Sequence, residues 1–488
     1  MSDPLVQARL EKLRALREQG VDPYPARVPR VERIASVVDR FGELDVEEHS
    51  GETVAVAGRQ MAIRGMGKAS FLDLRDGSGK IQIHAAADRL GTTSYDALGQ
   101  SDIGDILAIR GEVFRTRRGE LTIAADEWTL LAKSLRPLPE KWHGLKDVEI
   151  RYRHRSLDLI ANDDVRDTFV KRSRILSAMR RALDEEGFLE VENPVLQTVA
   201  SGGHARPFVT HHNALDADLY LRIALELHLK RLLVGGLDRV YEMSKCFRNE
   251  GVSTEHNPEF TMLEIYQAYA DYEEMMRLVE RLIHAALEAV GIPPRVGFKE
   301  QTVDFTPPWA RIAIIDAVAE ATGIDPEILR TEAAVEQAVS RGIDPRPGCP
   351  GEAVEALFAR FVEPNLIQPT FIVDYPLEIS PLAKRKPDDD GLVERFELFA
   401  GGIELANAFT ELNDPVDQRA RFEAQERLRA AGNEEAQPID EDFLYAIEHG
   451  MPPAGGMGVG VDRLVMLLTG SPSIRDVILF PAMRRKDE

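Results

Sequence analysis

Short runs of alternating apolar and polar residues dominate the chain between residues 52 and 133. A period of two is typical of β-strands, and the turn-forming sequences Asp76-Gly77-Ser78-Gly79 and Arg118-Gly119 separate runs where strands must reverse. The predicted strands are 53–63, 69–74, 80–85, 106–113 and 120–131. Five short strands within about eighty residues predict a small closed barrel.

A five-stranded barrel of this size is of the OB type, which commonly binds single-stranded nucleic acid or saccharide on one face. A barrel that only docks other domains is an equally good interpretation. Residues 1–51 are predicted to form a helical extension, because Asp3 can cap a helix, Pro4 suits its first turn and Gly20 would end it. The prolines and charges of residues 134–150 indicate a linker.

Helix-like and strand-like patterns are mixed from residue 151 to residue 488. The loop between two of the strand-like runs, 239–248 and 258–267, is too short for a crossover, so these runs must be antiparallel neighbours. The segment therefore predicts an α+β domain, with an inserted helical subdomain at about 293–370 where helical patterns alternate with Pro and Gly. Further helices are predicted near 166–187, 271–291 and 417–431, and further strands near 219–224 and 402–412.

The acidic composition narrows the range of partners. The 488 residues carry a formal net charge of −22, which repels a phosphate backbone, so a nucleic-acid contact needs local basic patches. Arginine-rich runs at 115–118 and 151–155 are either such patches or ordinary solvated surface. No apolar run is long enough for a membrane span and the amino terminus lacks the apolar core of a signal peptide, so we expect a cytoplasmic protein.

The sequence FRNEGVSTEHNPEF joins the two antiparallel strands. It places an arginine, several carboxylates and a histidine where a short turn would connect the strands. Alternation puts Phe260, Glu264 and Tyr266 on one face of the second strand, while Arg248 and Glu250 share a face at the end of the first. Polar residues inside an otherwise apolar strand favour a binding site over a solvated surface hairpin.

A second polar strand, near residues 402–412, carries two glutamates. Asn407, Phe409 and Glu411 alternate onto one face and Glu404 has the opposite parity, so a bulge or bend is required if both glutamates act together. Two carboxylates near a polyphosphate suit Mg²⁺, a hard cation that binds oxygen ligands and usually keeps substrate phosphates in its shell. By themselves these two glutamates do not establish a metal site.

A glycine-rich run, GGMGVG at residues 455–460, leads into a helical pattern. Glycines before a helix amino terminus allow close approach to an anion, and Arg463 in the first turns would add positive charge. The spacing is not that of a dinucleotide-binding fingerprint, and a buried structural turn is an equally good interpretation. The chain has no G-x-x-x-x-G-K-[ST] loop either, so a nucleotide site must be built differently.

Together these segments resemble the class II aminoacyl-tRNA synthetases, and most closely the bacterial lysyl-tRNA synthetases. Motif 1 is similar to GFLEVENPVL at residues 187–196, motif 2 to FRNEGVSTEHNPEF with its flanking strands, and motif 3 to residues 456–468. Strings similar to the lysyl type include ARPF, HNALD, LRIA and NAFTELND. The resemblance spans nearly the whole chain. It implies an antiparallel catalytic sheet with flanking helices, preceded by an OB-fold barrel that binds an anticodon.

The resemblance implies lysine–tRNA ligation, in which L-lysine and ATP give lysyl-adenylate and pyrophosphate, and lysine then passes to the 3′ end of tRNA(Lys). Arg248 would hold the lysine carboxylate and an ATP phosphate. Glu226 with the Gly202 backbone would take the α-amino group, and Glu411 with Tyr266 the ε-ammonium. The lysine pocket would be completed by Glu264, Asn407 and Phe409.

The ATP site implied by the resemblance lies between motifs 2 and 3, with the adenine stacked between Phe260 and Arg463. Arg248 and Arg463 would be the catalytic residues, because they neutralise charge at the α-phosphorus during in-line attack. Glu404 and Glu411 would bind Mg²⁺. The ATP-binding residues implied are Arg248, Glu250, His256, Phe260 and Arg463.

The resemblance also implies two kinds of partner beyond the small substrates. In the barrel, Phe71 would stack on an unpaired base and Gln82 would read a base edge. Motif 1 forms the homodimer interface in this family, so a homodimer is expected by analogy.

Charge complementarity agrees with lysine as the amino acid. A free lysine carries two ammonium groups and one carboxylate, so its pocket needs buried acids at two points and an arginine at a third. An aspartate pocket would invert these charges. Activation needs no general base, because the attacking carboxylate is already ionised at neutral pH.

Two positions depart from the family pattern. The sequence Ala200-Ser201-Gly202-Gly203-His204 stands where Pro-Gly-Gly-Ala is usual, and Leu225 stands in place of the proline of Ala-Pro-Glu-Leu. Both flank the expected α-amino site. The alternative function is therefore that of a catalytically weakened relative, which binds RNA or acts in signalling.

Overall fold

The structure, a computed structural model, describes residues 3–139, 145–199, 202, 205–344, 346–430 and 438–484. The chain divides into two compact units, Met1–Lys146 and Asp147–Glu488. Within the described residues, no helix is both long enough and apolar enough to cross a membrane.

A closed five-stranded barrel makes up most of the first unit. Its strands are β1 (His49–Met66), β2 (Ala69–Arg75), β3 (Lys80–Ala86), β4 (Ile106–Arg115) and β5 (Leu121–Ala132). The long β1 pairs with both β2 and β4, and β3 closes the barrel by pairing in parallel with β5. One set of alternating side chains, including Leu72, Ile83 and Ile123, fills the interior. The predicted OB-type barrel is confirmed, because strict alternation matches strands with one face against a closed core.

Four helices accompany the barrel: α1 (Pro4–Glu18), α2 (Ile34–Phe41), α3 (Ala87–Leu90) and α4 (Thr92–Leu98). The predicted cap of α1 is present, since the Asp3 side chain accepts a hydrogen bond from the backbone N–H of Leu5 at 2.9 Å. A buried cation lies beyond β5, where Lys133 Nζ is 2.5 Å from Asp102 and 2.8 Å from Asp105. The lysine side chain is only 1% exposed, so this ion pair is a structural one inside the unit.

The second unit is built on a nine-stranded, mostly antiparallel sheet. Its strands and those of two small accessory sheets are β6 (Leu189–Glu190), β7 (Leu196–Gln197), β8 (Val209–His212), β9 (Ala217–Leu221), β10 (Arg239–Phe247), β11 (Glu259–Ala268), β12 (Arg295–Phe298), β13 (Gln301–Asp304), β14 (Ala310–Ala313), β15 (Thr370–Pro376), β16 (Arg385–Lys386), β17 (Asp389–Ala400), β18 (Ile403–Thr410) and β19 (Ala454–Gly460). The main sheet has the order β14-β15-β17-β18-β19-β11-β10-β6, with β16 paired to β17. As predicted, β10 and β11 are antiparallel neighbours.

Helices pack against both faces of this sheet, and one of the two faces also carries buried polar side chains. The helices of the unit are α5 (Val148–Arg153), α6 (Arg155–Ala161), α7 (Asp163–Glu185), α8 (Glu226–Val234), α9 (Tyr272–Val290), α10 (Ile314–Thr322), α11 (Pro326–Leu329), α12 (Ala333–Ser340), α13 (Pro350–Phe361), α14 (Pro415–Ala430), α15 (Glu441–Ile447), α16 (Val461–Thr469) and α17 (Ile474–Val477). Apolar residues of α7, α9 and α16 share one core with Leu263 and Ile265 of β11. Because strand side chains alternate, Glu264 and Tyr266 lie on the opposite face.

Two predicted segments have a different structure. The 293–370 segment is not wholly helical, because the hairpin β12–β13 and the sheet strand β14 precede its helices and β15 begins at its end. The strands β12, β13 and β14 are only four residues long, too short for their alternation to outweigh the Pro and Gly breaks around them. The predicted linker 134–150 also overlaps α5, whose amino end is capped by Asp147 through a hydrogen bond from the N–H of Ile150.

Candidate functional site

The hairpin β10–β11 presents the FRNEGVSTEHNPEF loop at the edge of a cavity. The two strands pair continuously from Arg239↔Gln267 to Phe247↔Glu259, so the loop begins directly after a regular ladder. Its base is closed by the bond from Arg248 N–H to the Pro258 carbonyl at 2.9 Å. The loop is therefore anchored at its base, while its tip carries polar residues.

The cavity has a volume of about 550 Å³ and lies against the polar face of the main sheet. It brings together residues that are up to 272 positions apart in the sequence (202 to 474). The predicted site residues that line it are Gly202, Glu226, Arg248, Glu250, His256, Phe260, Glu264, Tyr266, Glu404, Asn407, Phe409 and Arg463. Glu411 does not line the cavity.

Glu411 lies directly beneath the cavity floor. A Cβ atom on Gly456, which lines the floor, would overlap the Glu411 carboxylate and would come within 2.5 Å of the Tyr266 ring, so only glycine fits at this position. The Glu411 side chain is completely buried, and its Oε1 atom has no hydrogen-bond partner within the described residues. A buried carboxylate oxygen without a donor is costly, and a cationic ligand would relieve that cost.

Lys230 is a second buried charge at this end of the cavity, and it was not singled out from the sequence. Its Nζ atom is 2.6 Å from Glu226 Oε1 and also contacts Glu411 Oε2. It lies 5.2 Å from the centre of the Phe409 ring. The only signal in the sequence was a lysine four residues after Glu226 in an apolar helix, a spacing that places both on one helix face.

Glu264 is held by two hydrogen bonds at the buried end of the cavity. Its Oε1 accepts from the backbone N–H of Leu225 and its Oε2 from the Tyr266 hydroxyl, both at 3.1 Å. Burial, together with the nearby Glu226, raises the pKa of Glu264 to about 7. Leu225 replaces the family's proline, which has no N–H, so this departure supplies one of the two donors.

A β-bulge in β18 brings Glu404 to the cavity. Ala406 pairs with Leu398 and Glu404 with Phe399, so Leu405 is the extra residue. The bulge changes the parity, and Glu404 now shares a face with Asn407. Glu404 and Glu411 nevertheless have different surroundings: Glu404 lines the cavity, whereas Glu411 is beneath its floor with Lys230. The binding of one Mg²⁺ by both glutamates, which the family resemblance implies, stays a prediction.

A buried network lies beside Glu404 on the neighbouring strand. Arg395 donates to the Asn407 side-chain oxygen at 3.1 Å and to Glu397 Oε1 at 2.6 Å. Burial raises the pKa of Glu397 to about 7; Arg395 opposes this shift and Glu404 adds to it. Arg395 thereby fixes the orientation of the Asn407 amide. Neither Arg395 nor Glu397 was singled out from the sequence.

Arg463 and His256 face each other across the more exposed end of the cavity. Arg463 donates to Glu404 Oε2 at 3.0 Å, and its second amino group is 3.2 Å from His256 Nε2. Because a guanidinium can only donate, Nε2 accepts and the proton is on Nδ1, 3.0 Å from Ser253 Oγ. Partial burial and the adjacent Arg463 lower the pKa of His256, which agrees with a neutral ring.

The glycine-rich run is a central strand and not a loop before a helix. Residues of β19 pair with β11 on one side and with β18 on the other, and α16 begins only at Val461. Its glycines allow Tyr266, Glu411 and Met262 to pack against the strand. Sequence alone could not distinguish the two, because both need residues without side chains.

Arg248 has an unsatisfied donor in the same cavity. Its Nε atom is buried without a hydrogen-bond partner in the described part of the chain, and its guanidinium carbon lies 5.2 Å from the centre of the Phe260 ring. An anionic group would satisfy this donor. The stacking of a base between Phe260 and Arg463 stays a prediction.

The two residues predicted to read bases lie on neighbouring barrel strands. The half-buried Phe71 is 4.9 Å from the ring of His84, and His84 is 6.2 Å from Phe114. The Gln82 side-chain oxygen accepts a hydrogen bond from the Thr122 hydroxyl at 3.1 Å. The row of rings was not recognised from the sequence, since its members come from three different strands.

Comparison with known proteins agrees with both units. A family described as tRNA synthetases class II (D, K and N) matches residues 147–484, and an OB-fold nucleic acid binding domain matches residues 54–131. The chain is 56% identical to the lysine–tRNA ligase of Moorella thermoacetica, over 99% of this chain and 98% of the relative. It is 52% identical to the lysine–tRNA ligase of Bacillus subtilis, over 99% and 97% of the two chains.

We predict that Glu264→Gln stabilises the ligand-free protein only at alkaline pH. The buried carboxyl has a pKa of about 7 against 4.5 in the unfolded chain, so its stabilising contribution is present below pH 4.5 and is lost as pH rises to 7. The variant should melt about 2–4 °C higher than the unaltered chain at about pH 8, and at the same temperature at about pH 4.5. Thermal denaturation monitored by circular dichroism tests this. An equal difference at both pH values would show that titration of Glu264 is not responsible.

Proposed function

The chain belongs to the class II lysine–tRNA ligases, and we propose that the cavity of its second unit binds lysine at the buried acidic end and ATP at the exposed end. As a member of this family it activates L-lysine with ATP and charges tRNA. What supports the proposed orientation is two buried atoms that have no hydrogen-bond partner among the residues that the structure describes, the Oε1 of Glu411 and the Nε of Arg248. One requires a cation and the other an anion, as the two ends of lysine supply.

Lysine would lie along the floor of the cavity between these two atoms. Its ε-ammonium is directed to Glu411 beneath Gly456, beside the Tyr266 hydroxyl and Glu264. Its α-amino group is directed to Glu226 and to the backbone of Gly202, and Asn407 and Phe409 form the walls. The lysine carboxylate faces Arg248. Arg248 is also in reach of the ATP end, because Glu250, which is assigned to ATP, follows it in the same loop.

ATP would bind between the FRNEGVSTEHNPEF loop and α16. Phe260 offers a ring for the adenine, with Arg463 on its other side, and Glu250 and the neutral His256 offer polar contacts. Arg248 and Arg463 act as catalytic residues by neutralising the phosphates while the lysine carboxylate attacks the α-phosphorus in line. The bond from that phosphorus to the bridging oxygen breaks, and pyrophosphate leaves.

A divalent cation is expected with ATP in this family, and Mg²⁺ is the ion we assign. Its contribution is to offset phosphate charge. Glu404 suits this role because it lines the cavity, and Glu411, the second carboxyl that the family resemblance implies, lies beneath the cavity floor. Within the described residues no group of three or more His, Cys, Asp or Glu side chains could hold a metal, which agrees with an ion that takes other ligands from phosphate and water.

The remaining partners follow from the same activity. The barrel would bind the anticodon of tRNA(Lys) through Phe71 and Gln82, and the substrates ATP and tRNA favour a cytoplasmic location. A homodimer through motif 1 is supported by exposed apolar side chains at Leu189, Val195 and Leu196. The Ala200–His204 departure lies outside the described residues except for Gly202, and nothing in the structure favours the alternative of a weakened RNA-binding relative.

Amino-acid-dependent ATP–pyrophosphate exchange tests the proposed pocket directly. Because the buried end is acidic, we expect exchange with lysine and at least about 10⁴-fold less with aspartate or asparagine, which would leave buried carboxylates unpaired. Exchange supported equally by all three amino acids would contradict the proposed orientation.

Glu411→Gln should impair lysine use and spare ATP. Loss of the buried charge removes the partner of the ε-ammonium, so KM for lysine in the exchange assay should rise about 10²–10³-fold, with KM for ATP within about threefold. Glu448→Gln, on the exposed surface after α15, serves as the matched control and should change neither value. Equal losses for both substrates would remove Glu411 from the ε-ammonium site.

Phe71→Ala should separate tRNA binding from amino-acid activation. Removing one stacking ring should raise KM for tRNA about tenfold in aminoacylation, while ATP–pyrophosphate exchange stays unchanged. Tyr445→Ala, an aromatic residue 67% exposed on the second unit, is the control and should leave both assays unaltered. A change in exchange with Phe71→Ala would mean that the variant damages more than the barrel surface.

A further inference from the structure

Lys230 is buried in the proposed lysine pocket, yet the proposed binding of lysine does not use it. Its side chain is completely inaccessible to solvent, and it extends from α8 one turn after Glu226. Its ammonium joins Glu226, directed to the α-amino group, to Glu411, directed to the ε-ammonium. A fixed cation therefore connects the two carboxylates that are proposed to recognise the two amino groups of the substrate.

Counting charges explains why a cation is needed there. Three carboxyl groups, Glu226, Glu264 and Glu411, converge on the buried end from α8, β11 and the residue after β18, and Lys230 cancels one of them. The remaining two match the two ammonium groups of lysine, while Arg248 takes the substrate carboxylate. Without Lys230 the closed end would hold three carboxyl groups for two cations, and the excess charge would draw a proton onto one of them.

The surroundings of Lys230 support a permanent charge. Burial alone would favour the neutral amine, but Glu226 and Glu411 outweigh it and raise the pKa of Lys230. The other titratable groups at this end are Glu264 and Tyr266, and the phenol stays neutral because burial and these carboxylates raise its pKa well above its usual value. The Phe409 ring, 5.2 Å from Nζ, covers the ammonium and separates it from the cavity that it helps to line.

We propose that Lys230 is a positioning residue that acts as an internal counter-ion: its ammonium lies between Glu226 and Glu411 and holds the two carboxyl groups at the spacing that the two amino groups of lysine require. This inference rests on the proposed placement of lysine in the cavity. Lys230 touches neither substrate. It supplies instead the positive charge without which the neighbouring carboxyl groups would repel one another.

The first unit provides a matched control. Lys133 is equally buried, 1% exposed, and lies between two carboxylates, Asp102 and Asp105. If a buried lysine between two acids contributes only to stability, substitution of Lys133 and substitution of Lys230 should both lower stability and have no other kind of effect. Lys133 belongs to the first unit and does not line the cavity, so its loss should leave the lysine pocket intact.

The test compares Lys230→Ala, Lys230→Met and Lys133→Ala in ATP–pyrophosphate exchange. For both Lys230 variants we expect KM for lysine to rise about tenfold or more near pH 7, with KM for ATP within about threefold. KM for lysine should also fall as pH rises, with a midpoint more alkaline than in the unaltered enzyme, because a proton now has to leave the acid cluster. Lys133→Ala should lower the melting temperature without altering either the KM for lysine or its pH profile.

Chemical rescue gives a readout that a structural role would not produce. Methylammonium or ethylammonium added to Lys230→Ala should lower KM for lysine towards the unaltered value, because either cation fits the space left by the side chain. Neither amine should improve Lys230→Met, because the methionine side chain fills the space, and neither should change the KM for lysine of Lys133→Ala, because that KM is unaltered without amine.

Two outcomes would overturn the inference, and both differ from a failure of the proposed function. An unchanged or lower KM for lysine in Lys230→Met, with Glu411→Gln impaired as expected, would leave lysine in the pocket and reduce Lys230 to a structural ion pair. Failure of either amine to lower the KM for lysine of Lys230→Ala, or no alkaline shift in the Lys230 variants, would do the same. If Glu411→Gln itself leaves KM for lysine unaltered, the proposed placement of lysine is wrong.

Discussion

The controlling constraint in this protein is the concentration of carboxyl groups in a closed space. Glu226, Glu264 and Glu411 are all at least nine-tenths buried at one end of the cavity, where charges of one sign interact strongly. Such a cluster is tolerated only if cations or protons balance it. Lys230 supplies one cation, and in the proposed placement of lysine the two ammonium groups of the substrate supply the rest. On that proposal, selectivity for lysine over neutral or acidic amino acids is a consequence of incomplete neutralisation in the empty protein.

The sheet gives this cluster its geometry through small departures from regularity. The bulge at Leu405 turns Glu404 onto the cavity face without changing the ladder beyond it. Gly456 lets Glu411 lie beneath the floor of the cavity, since any side chain would collide with it. The extra residue, Leu405, therefore leaves Glu404 available to a phosphate in the cavity. The missing side chain, at Gly456, leaves Glu411 available only to a ligand that reaches the floor.

Much of the architecture could be predicted because it follows from local periodicity. The barrel strands, the antiparallel pair β10–β11 and the cap of α1 are all set by neighbouring residues. The convergence of Arg248, Glu264 and Asn407 was also expected, but through the family resemblance. Lys230, Arg395 and Glu397 could not be identified, because their partners are distant in sequence and a charged residue in a strand or helix is usually solvated. The glycine-rich run was ambiguous for a related reason: a strand packed between two others and a phosphate loop both exclude side chains.

Leu225 contributes to the site through its backbone and not through its side chain. The leucyl group packs in the apolar core, while the amide N–H supports Glu264. Nineteen of the twenty amino acids carry a backbone N–H. A comparison of side chains alone would therefore describe position 225 as ordinary hydrophobic packing. Its chemical meaning is a choice between a secondary amide nitrogen, which donates, and the tertiary amide nitrogen of proline, which cannot. With the usual Ala-Pro-Glu-Leu pattern this position would offer the glutamate no backbone donor.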